Sequence, residues 1–261
     1  MTIIFDGRIH ENPAVVPPWT ALSATDTAIP GQSLALVSDP AGSGRTVGAF
    51  TRRSTDTLVS SGYRVEVSNV GIAWNENVER WMHWRTYIPS DQKFQLRPAT
   101  ICFQIHDQST GEAAHPPPLE CEITPHHLLF LGAYDATVTS TTESITTYEV
   151  ARIPMIWDAW VDFVLHCRFN VAASSGFFRL WVNHREILHL RNIPNAYAHT
   201  SGIDPVYIQM GNYTGGTVLP NGVTSRTLYH DGLRMGDATS GYRELTGRDP
   251  EPALLAADVQ S

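Results

Sequence analysis

Four residue types stand at strand spacing in this sequence, and together they suit one reaction. Arg64 and Glu66 alternate in "RVEV", Gln104 and His106 in "FQIH", and Tyr207, Gln209, Gly211 and Tyr213 in "VYIQMGNY". Successive side chains of a strand point to opposite faces, so each set shares a face opposite an apolar stripe. By that alternation Thr100 and Cys102 lie on the His106 face, and Ile101, Phe103 and Ile105 on the other. An arginine and an amide can bind and neutralise a carboxylate, and can stabilise an enediolate forming beside it. A histidine or tyrosine can take a proton from carbon, and a tyrosine can return one to a leaving oxygen. These are the demands of β-elimination on a uronic acid, whose carbon-5 proton is barely acidic while the carboxylate keeps its charge. Such a scheme needs no metal or organic cofactor. Taken singly, each set also reads as an ordinary solvated face, and Arg64 with Glu66 as a surface pair worth about 0–1 kcal/mol.

The elements that must position these groups are strands. "YRVEVS", "RWMHWRTYI", "ATICFQIH", "LECEI", "HHLLFLGAY", "WVDFVLHCRF", "FFRLWVNHREIL", "PVYIQMGNY" and "TLYHDGLRM" are rich in β-branched and aromatic residues. Turn-forming clusters such as "DPAGSG", "VAASSG" and "TGGTVLPNG" separate them. Many short strands with this punctuation predict an all-β fold, a sandwich or a jelly roll. Helix signals are few: "SDQKF" suits a turn of helix, and "EPALLAADVQS" a short helix or a mobile end. One domain is expected over residues 1–245, with 246–261 as a C-terminal tail.

Composition narrows the function classes. The chain has 261 residues, enough for one large sandwich, and 42% hydrophobic against 17% charged residues makes it globular rather than disordered. A net charge of −8 argues against nucleic acid as a partner. No apolar run approaches a membrane span, so no membrane partner is expected. "MTIIFDGRIHENP" lacks the basic start and apolar core of a signal peptide, which leaves export, release by lysis or carriage on a phage particle open. Three cysteines, Cys102, Cys121 and Cys167, suit a reduced compartment, although Cys102 and Cys121 could pair.

The three segments resemble the signature of jelly-roll polysaccharide lyases. Alginate lyases of that fold carry R-x-E-x-R, Q-I-H and Y-F-K-A-G-x-Y, against "RVEVS", "QIH" and "YIQMGNY" here. The heparin lyase I and glucuronan lyase type is similar over more of the chain. The matching stretches are "VSDPAGSGRTV", "WMHWRTYIPSD", "PPPLECEI", "WDAWVDFVLHCRF", "GFFRLWVNHREIL" and "YHDGLRMG". The resemblance therefore runs in order over roughly residues 35–236. It implies a β-jelly-roll (concanavalin A-like) sandwich of two curved antiparallel sheets, and endo-acting cleavage of an acidic polysaccharide such as glucuronan, alginate or a glycosaminoglycan. By position it makes Arg64 and Gln104 the carboxylate neutralisers, His106 a base or carboxylate ligand, and Tyr213 the general acid, with the base left open between His106 and Tyr213 and with Glu66 orienting Arg64. A structural calcium ion is compatible with the resemblance, but no acidic loop names its ligands. Two positions depart from the pattern, Gln209 in place of lysine and Ser68 in place of arginine. A non-catalytic carbohydrate-binding jelly roll, on a virion or cell surface, is the alternative.

Further candidates sit around this constellation. Tyr207 suits packing or substrate contact. His126 and His127 are neighbours on opposite faces, so they cannot share a metal ion from a regular strand, and one of them, His127, is a candidate for the groove. His83 and Arg85 share a face with Trp81 and Tyr87, which suits either groove or packing. A locally positive groove is expected around Arg64, with Arg85, Arg168 and Arg179 as further charge. Trp157, Trp160 and Trp181 read as core. "NYT" at 212–214 matches a glycosylation acceptor. No E-x-D-x-x-E or G-x-S-x-G is present to support a glycoside hydrolase or a serine hydrolase.

Overall fold

The computed structural model describes residues 2–11, 19, 21–24, 33–59, 62–92, 94, 96, 99–107, 115–199, 202–203, 205–215, 219 and 222–252. Among these residues the elements follow in chain order. First come β1 (Ile3–Asp6), β2 (Ala21–Ala24), β3 (Leu34–Ser38), β4 (Thr46–Arg53), β5 (Tyr63–Trp74) and β6 (Glu79–Tyr87). Then come β7 (Thr100–Asp107), β8 (Leu119–Ile123), β9 (His127–Tyr134), β10 (Thr146–Pro154), β11 (Trp160–Arg168) and β12 (Phe177–Val182). The last are β13 (Arg185–Arg191), β14 (Ala198–His199), β15 (Gly202–Ile203), β16 (Val206–Thr214), β17 (Ser225–Gly236) and α1 (Tyr242–Thr246).

Two antiparallel sheets stack as a β-jelly-roll sandwich. One, here the site sheet, runs β10-β9-β8-β7-β16-β5-β2. The other, the outer sheet, runs β13-β12-β11-β6-β17-β4-β3, with β1 also paired to β17. Alternating apolar residues from both sheets meet between them. Trp84 of β6 stacks on Phe103 of β7 at 4.0 Å between ring centres, and on Phe163 of β11 at 5.1 Å. Phe50, Phe103, Phe130 and Phe178 are fully buried around them.

Polar ties also cross this core, and all of them end near one place on the site sheet. Asn212 of β16 donates its amide to Phe50 O (3.1 Å) and Arg226 O (2.9 Å) in the outer sheet. The Nε2–H of His230 in β17 donates to Gly211 O (2.9 Å), and its Nδ1 accepts from the Thr86 hydroxyl (3.1 Å). Burial holds the His230 imidazole neutral, its pKa pushed down to about 4 although the Gly211 bond opposes the shift. Arg226 reaches from β17 to the Thr100 hydroxyl on β7.

Several expectations change. "FFRLWVNHREIL" is two strands, because Asn183 and His184 take positive φ values of 47° and 72° and turn β12 back into β13. Both positions of such a turn favour Asn or Gly, and His184 hid the signal. β7 does not alternate throughout: its register shifts between Ile101 and Phe103, so Thr100 and Cys102 face the core and Ile101 the other side. Cys102 and Cys121 do not pair; both are free and buried, the Cys102 thiol lying 3.4 Å from Cys121 O. "SDQKF" opens on a single turn, Gln92 N donating to Pro89 O, and Lys93 lies outside the described residues. Among the described residues the helix is α1, which packs Tyr242 and Leu245 on Trp81, Val164 and Trp181 of the outer sheet. Beyond it Glu251 pairs with Arg185, while residues 253–261 of the tail lie outside the described residues.

Asn212 is fully buried, so its side chain serves the core and "NYT" offers no acceptor for a glycan. Asn212→Ala removes two buried hydrogen bonds, each worth about 0.5–1.5 kcal/mol net, together about 1–3 kcal/mol. Urea unfolding should show a loss in that range at unchanged slope, and an unchanged midpoint would refute the tie.

Candidate active site

The site begins with a bulge in β16. The β16–β7 register shifts between Met210 and Tyr213. There Gly211 runs so close to β5 that an added Cβ would lie 2.1 Å from Val65 O, so no other residue fits without moving a strand. Gln209 and Tyr213 emerge from either side of this point onto the same face, and the polar ties under Gly211 and Asn212 hold it from below. Cross-strand register then sets the neighbours. Tyr207 stands opposite His106, Gln209 opposite Gln104 and Ser68, and Tyr213 opposite Arg64 and Ile101.

These side chains line a cleft of about 1060 Å³ on the site sheet. Arg64, Gln104, His106, Tyr207, Gln209 and Tyr213 all reach it. The Arg64 guanidinium lies over the Tyr213 ring, 4.3 Å from its centre. Beneath them Glu66 is completely buried. Its Oε1 accepts from Gln104 Nε2 at 2.8 Å, and its Oε2 lies 3.4 Å from Arg64 Nη1. Burial pushes the Glu66 carboxyl up, against the pull of Arg64 and Gln104. Glu66 is therefore shut off from the cleft, and it braces Gln104 and Arg64 from below.

His106 closes the constellation at the end of β7. Its Nδ1 lies 2.9 Å from Asp107 O and 3.0 Å from Asp107 Oδ1. His115 Nε2 lies 3.1 Å from the other Asp107 oxygen, and the His115 ring stacks on Tyr197 at 3.9 Å. Burial would raise the Asp107 pKa, but His106 and His115 together hold it at about 2, so it is anionic. With Nδ1–H donated to Asp107, a neutral His106 keeps its lone pair on Nε2. Tyr213 is held above the ordinary tyrosine value by burial, with Arg64 opposing, so it carries its proton at neutral pH. Gly62 makes room for it: an added Cβ would lie 2.2 Å from the Tyr213 ring.

Other expected members lie elsewhere. Arg85 is on β6 of the outer sheet, with its guanidinium 3.3 Å from Asp162 and 5.0 Å from the Trp160 ring. His83 pairs with the same Asp162. Arg168 and Arg179 are on β11 and β12, also in the outer sheet. Alternation assigns a side chain to one face of its strand but cannot say which sheet that strand joins. His127 shares the face of Leu129 and Leu131 at the start of β9 but lies outside the cleft wall.

The cleft holds groups that sequence reasoning passed over. Glu120 and Glu122 of β8 line it, as do Glu149 and Arg152 of β10, paired at 2.5 Å. Its charge is thus mixed rather than positive. The signal for β8 was present in "LECEI", where two glutamates share one face. β10 was obscured by its exposed, polar composition. Burial, then the neighbouring Glu122, pushes Glu120 up to about 8, so it stays protonated at neutral pH.

A model of the family described as "Polysaccharide lyase" matches residues 16–234. The chain belongs to the polysaccharide lyase family. Among solved structures it is similar to an endo-β-1,4-glucuronan lyase from the fungus Trichoderma reesei. That match has 14% identity and a TM-score of 0.72, covering 91% of this chain and 96% of the other. A family 7 alginate lyase, A1-II′, solved with substrate, matches at 12% identity and TM-score 0.54, over 81% and 84%. The catalytic domain of a glycoside hydrolase family 131 protein from Coprinopsis cinerea matches at 14% identity and TM-score 0.56, over 92% and 96%. At such identities the likeness is one of fold. A search of curated proteins found no match.

Two outcomes test this site. Between about pH 4.5 and 8 the folded chain keeps the Glu120 proton and the unfolded chain does not, so this group's contribution to stability falls as pH rises through that window. Glu120→Gln should therefore gain stability relative to the parent at pH 8.5 compared with pH 5. An equal difference in Tm at both pH values would refute the shift. Gly62→Ala should cut turnover at least tenfold with a smaller change in Tm, because it displaces the Tyr213 ring; unchanged turnover would show that the ring tolerates the move.

Proposed function

We propose that this lyase cleaves an acidic, uronic-acid-containing polysaccharide by β-elimination, within the chain. The observation that carries the reading is the contact series Tyr213–Arg64–Glu66–Gln104 in the cleft, with His106 on the next rung. Gln104 spends one amide N–H on Glu66 and has another for a substrate carboxylate, and Arg64 adds a fixed positive charge beside it. Both donors are braced before substrate arrives, so little reorganisation is required as charge develops. His106 Nε2 takes the carbon-5 proton. The electron pair released forms the C4–C5 double bond, the C4–O4 bond breaks, and Tyr213 gives its proton to O4. The raised Tyr213 pKa supports the acid role over that of a phenolate base. The names of the similar glucuronan and alginate lyases support a polyuronate as substrate. The size of the cleft supports attack within a polymer.

One observation favours a second reading. Glu120 is protonated and Glu122, two residues along the same face, is its neighbour; their Cα atoms are about 7 Å apart at strand rise. A protonated carboxyl beside a carboxylate is the pair of groups that hydrolysis of a glycosidic bond uses.

Ultraviolet absorbance of the unsaturated uronate separates the two. With glucuronan or alginate, the protein should generate that absorbance. Tyr213→Phe should lower the rate about 10²–10⁴-fold, as expected for loss of general acid catalysis, with binding largely kept. His106→Ala should be comparably severe. Reducing ends released without absorbance, at a rate abolished by Glu120→Gln and indifferent to Tyr213→Phe, would replace elimination with hydrolysis.

A further inference from the structure

The three outer-sheet arginines Arg168, Arg179 and Arg191 converge away from the cleft. α1 covers part of the outer sheet's solvent face, and beside it that face stays open. There, register lines up one rung of Trp81, His166, Arg179 and His189 across β6, β11, β12 and β13. The adjacent rung is Glu79, Arg168, Phe177 and Arg191. All these side chains fall on the same face by alternation, and the two rungs enclose a hollow of about 260 Å³.

The chemistry of the hollow is that of anion recognition beside a ring. Arg168 pairs with Glu79 at 3.1 Å, and Arg179 with Glu186 at 2.6 Å. Arg191 has no carboxylate partner among the described residues; its Nε donates to His189 Nε2 at 2.9 Å. That bond requires His189 to be neutral, which agrees with its lowered pKa, caused by burial and then by Arg191 and Arg179. His166 is also pushed down by burial, against Glu79. At neutral pH three guanidinium groups therefore face two carboxylates. Phe177 and His166, the latter stacked on Trp81 at 3.9 Å, add ring surface. Arg191 sets its Nε and Nη2 against the His189 ring and keeps Nη1 outward; an exposed guanidinium next to apolar ring surface matches a carboxylate carried on a sugar ring.

We propose that this hollow is a second carbohydrate site, which binds one acidic sugar residue through Arg191 and Arg179 on the sheet opposite the cleft. The choice of a uronate rests on the functional reading above. Holding the polymer at a second place raises its effective concentration at the cleft, so the site matters for long chains and not for short ones.

The test is an NMR titration of the protein with a glucuronate tetrasaccharide, following the ring signals of His166 and His189, with cellotetraose and inorganic phosphate as comparisons. Both signals should shift saturably with the tetrasaccharide, and added salt should weaken the effect. Arg191→Ala should weaken binding at these signals at least fivefold and Arg191→Lys should partly restore it. Arg191 is exposed, so neither variant should lower Tm. Turnover of polymer should fall in Arg191→Ala while turnover of short oligosaccharides stays unchanged. No shift of either signal, or equal shifts with cellotetraose, would overturn the proposal. Phosphate binding as tight as the tetrasaccharide would reduce it to a general anion site and overturn it equally. Shifts without any unsaturated product would leave this site standing and count against elimination alone. Unsaturated product without shifts would do the reverse.

Discussion

A carboxylate with no access to water governs the candidate site. Burying a charge is costly unless it is paired and hydrogen-bonded, and Glu66 is buried completely. The amide of Gln104 and the guanidinium of Arg64 answer that demand from the strands next but one to each other, β7 and β5, across β16. Each is thereby held in one orientation while keeping donors for the cleft. The Arg64 guanidinium in turn lies on the Tyr213 ring. One buried oxygen pair thus couples three strands and sets the relative positions of Gln104, Arg64 and Tyr213.

The second constraint acts from the opposite sheet. A strand with a bulge loses ladder bonds and gains freedom. β16 is bulged between its cleft residues Gln209 and Tyr213. The lost order is restored across the core by His230 on Gly211 O and by the Asn212 amide on Phe50 O and Arg226 O. His230 does this as a neutral ring, and its pKa near 4 keeps it so throughout the physiological range. The polar residues in this core are therefore supports for the cleft floor rather than defects in the packing.

Charge is divided between the faces of the sandwich. The chain is acidic overall, with a net charge of −8. The cleft mixes Arg64 and Arg152 with Glu122, Glu149 and a protonated Glu120. Three arginines that could have joined it, Arg85, Arg168 and Arg179, sit in the outer sheet. A fold of this kind also serves a glycoside hydrolase, so the sandwich itself selects no reaction. Chemistry is decided by which polar groups the floor presents and in which protonation state.

The sequence by itself determined the β-sandwich, since alternation and turn chemistry are local properties carried by each segment. It also determined that Arg64, Gln104, His106, Tyr207, Gln209 and Tyr213 could share a surface, because each pair or trio has strand spacing and an apolar stripe behind it. Tertiary structure decided everything that depends on which strand meets which. It brought β5, β16 and β7 side by side and sent β6, β11 and β12 to the other sheet, a choice that alternation cannot make. It placed the bulge that turns Ile101 outward and Thr100 inward, where Thr100 meets Arg226 of the opposite sheet. It split one apparent strand at Asn183 and His184. It also set protonation: Glu120, Asp107 and His230 have ordinary side chains whose behaviour depends on burial and on the partners that the fold turns toward them. Spacing is written in the sequence; desolvation and long-range partners exist only once the chain has folded.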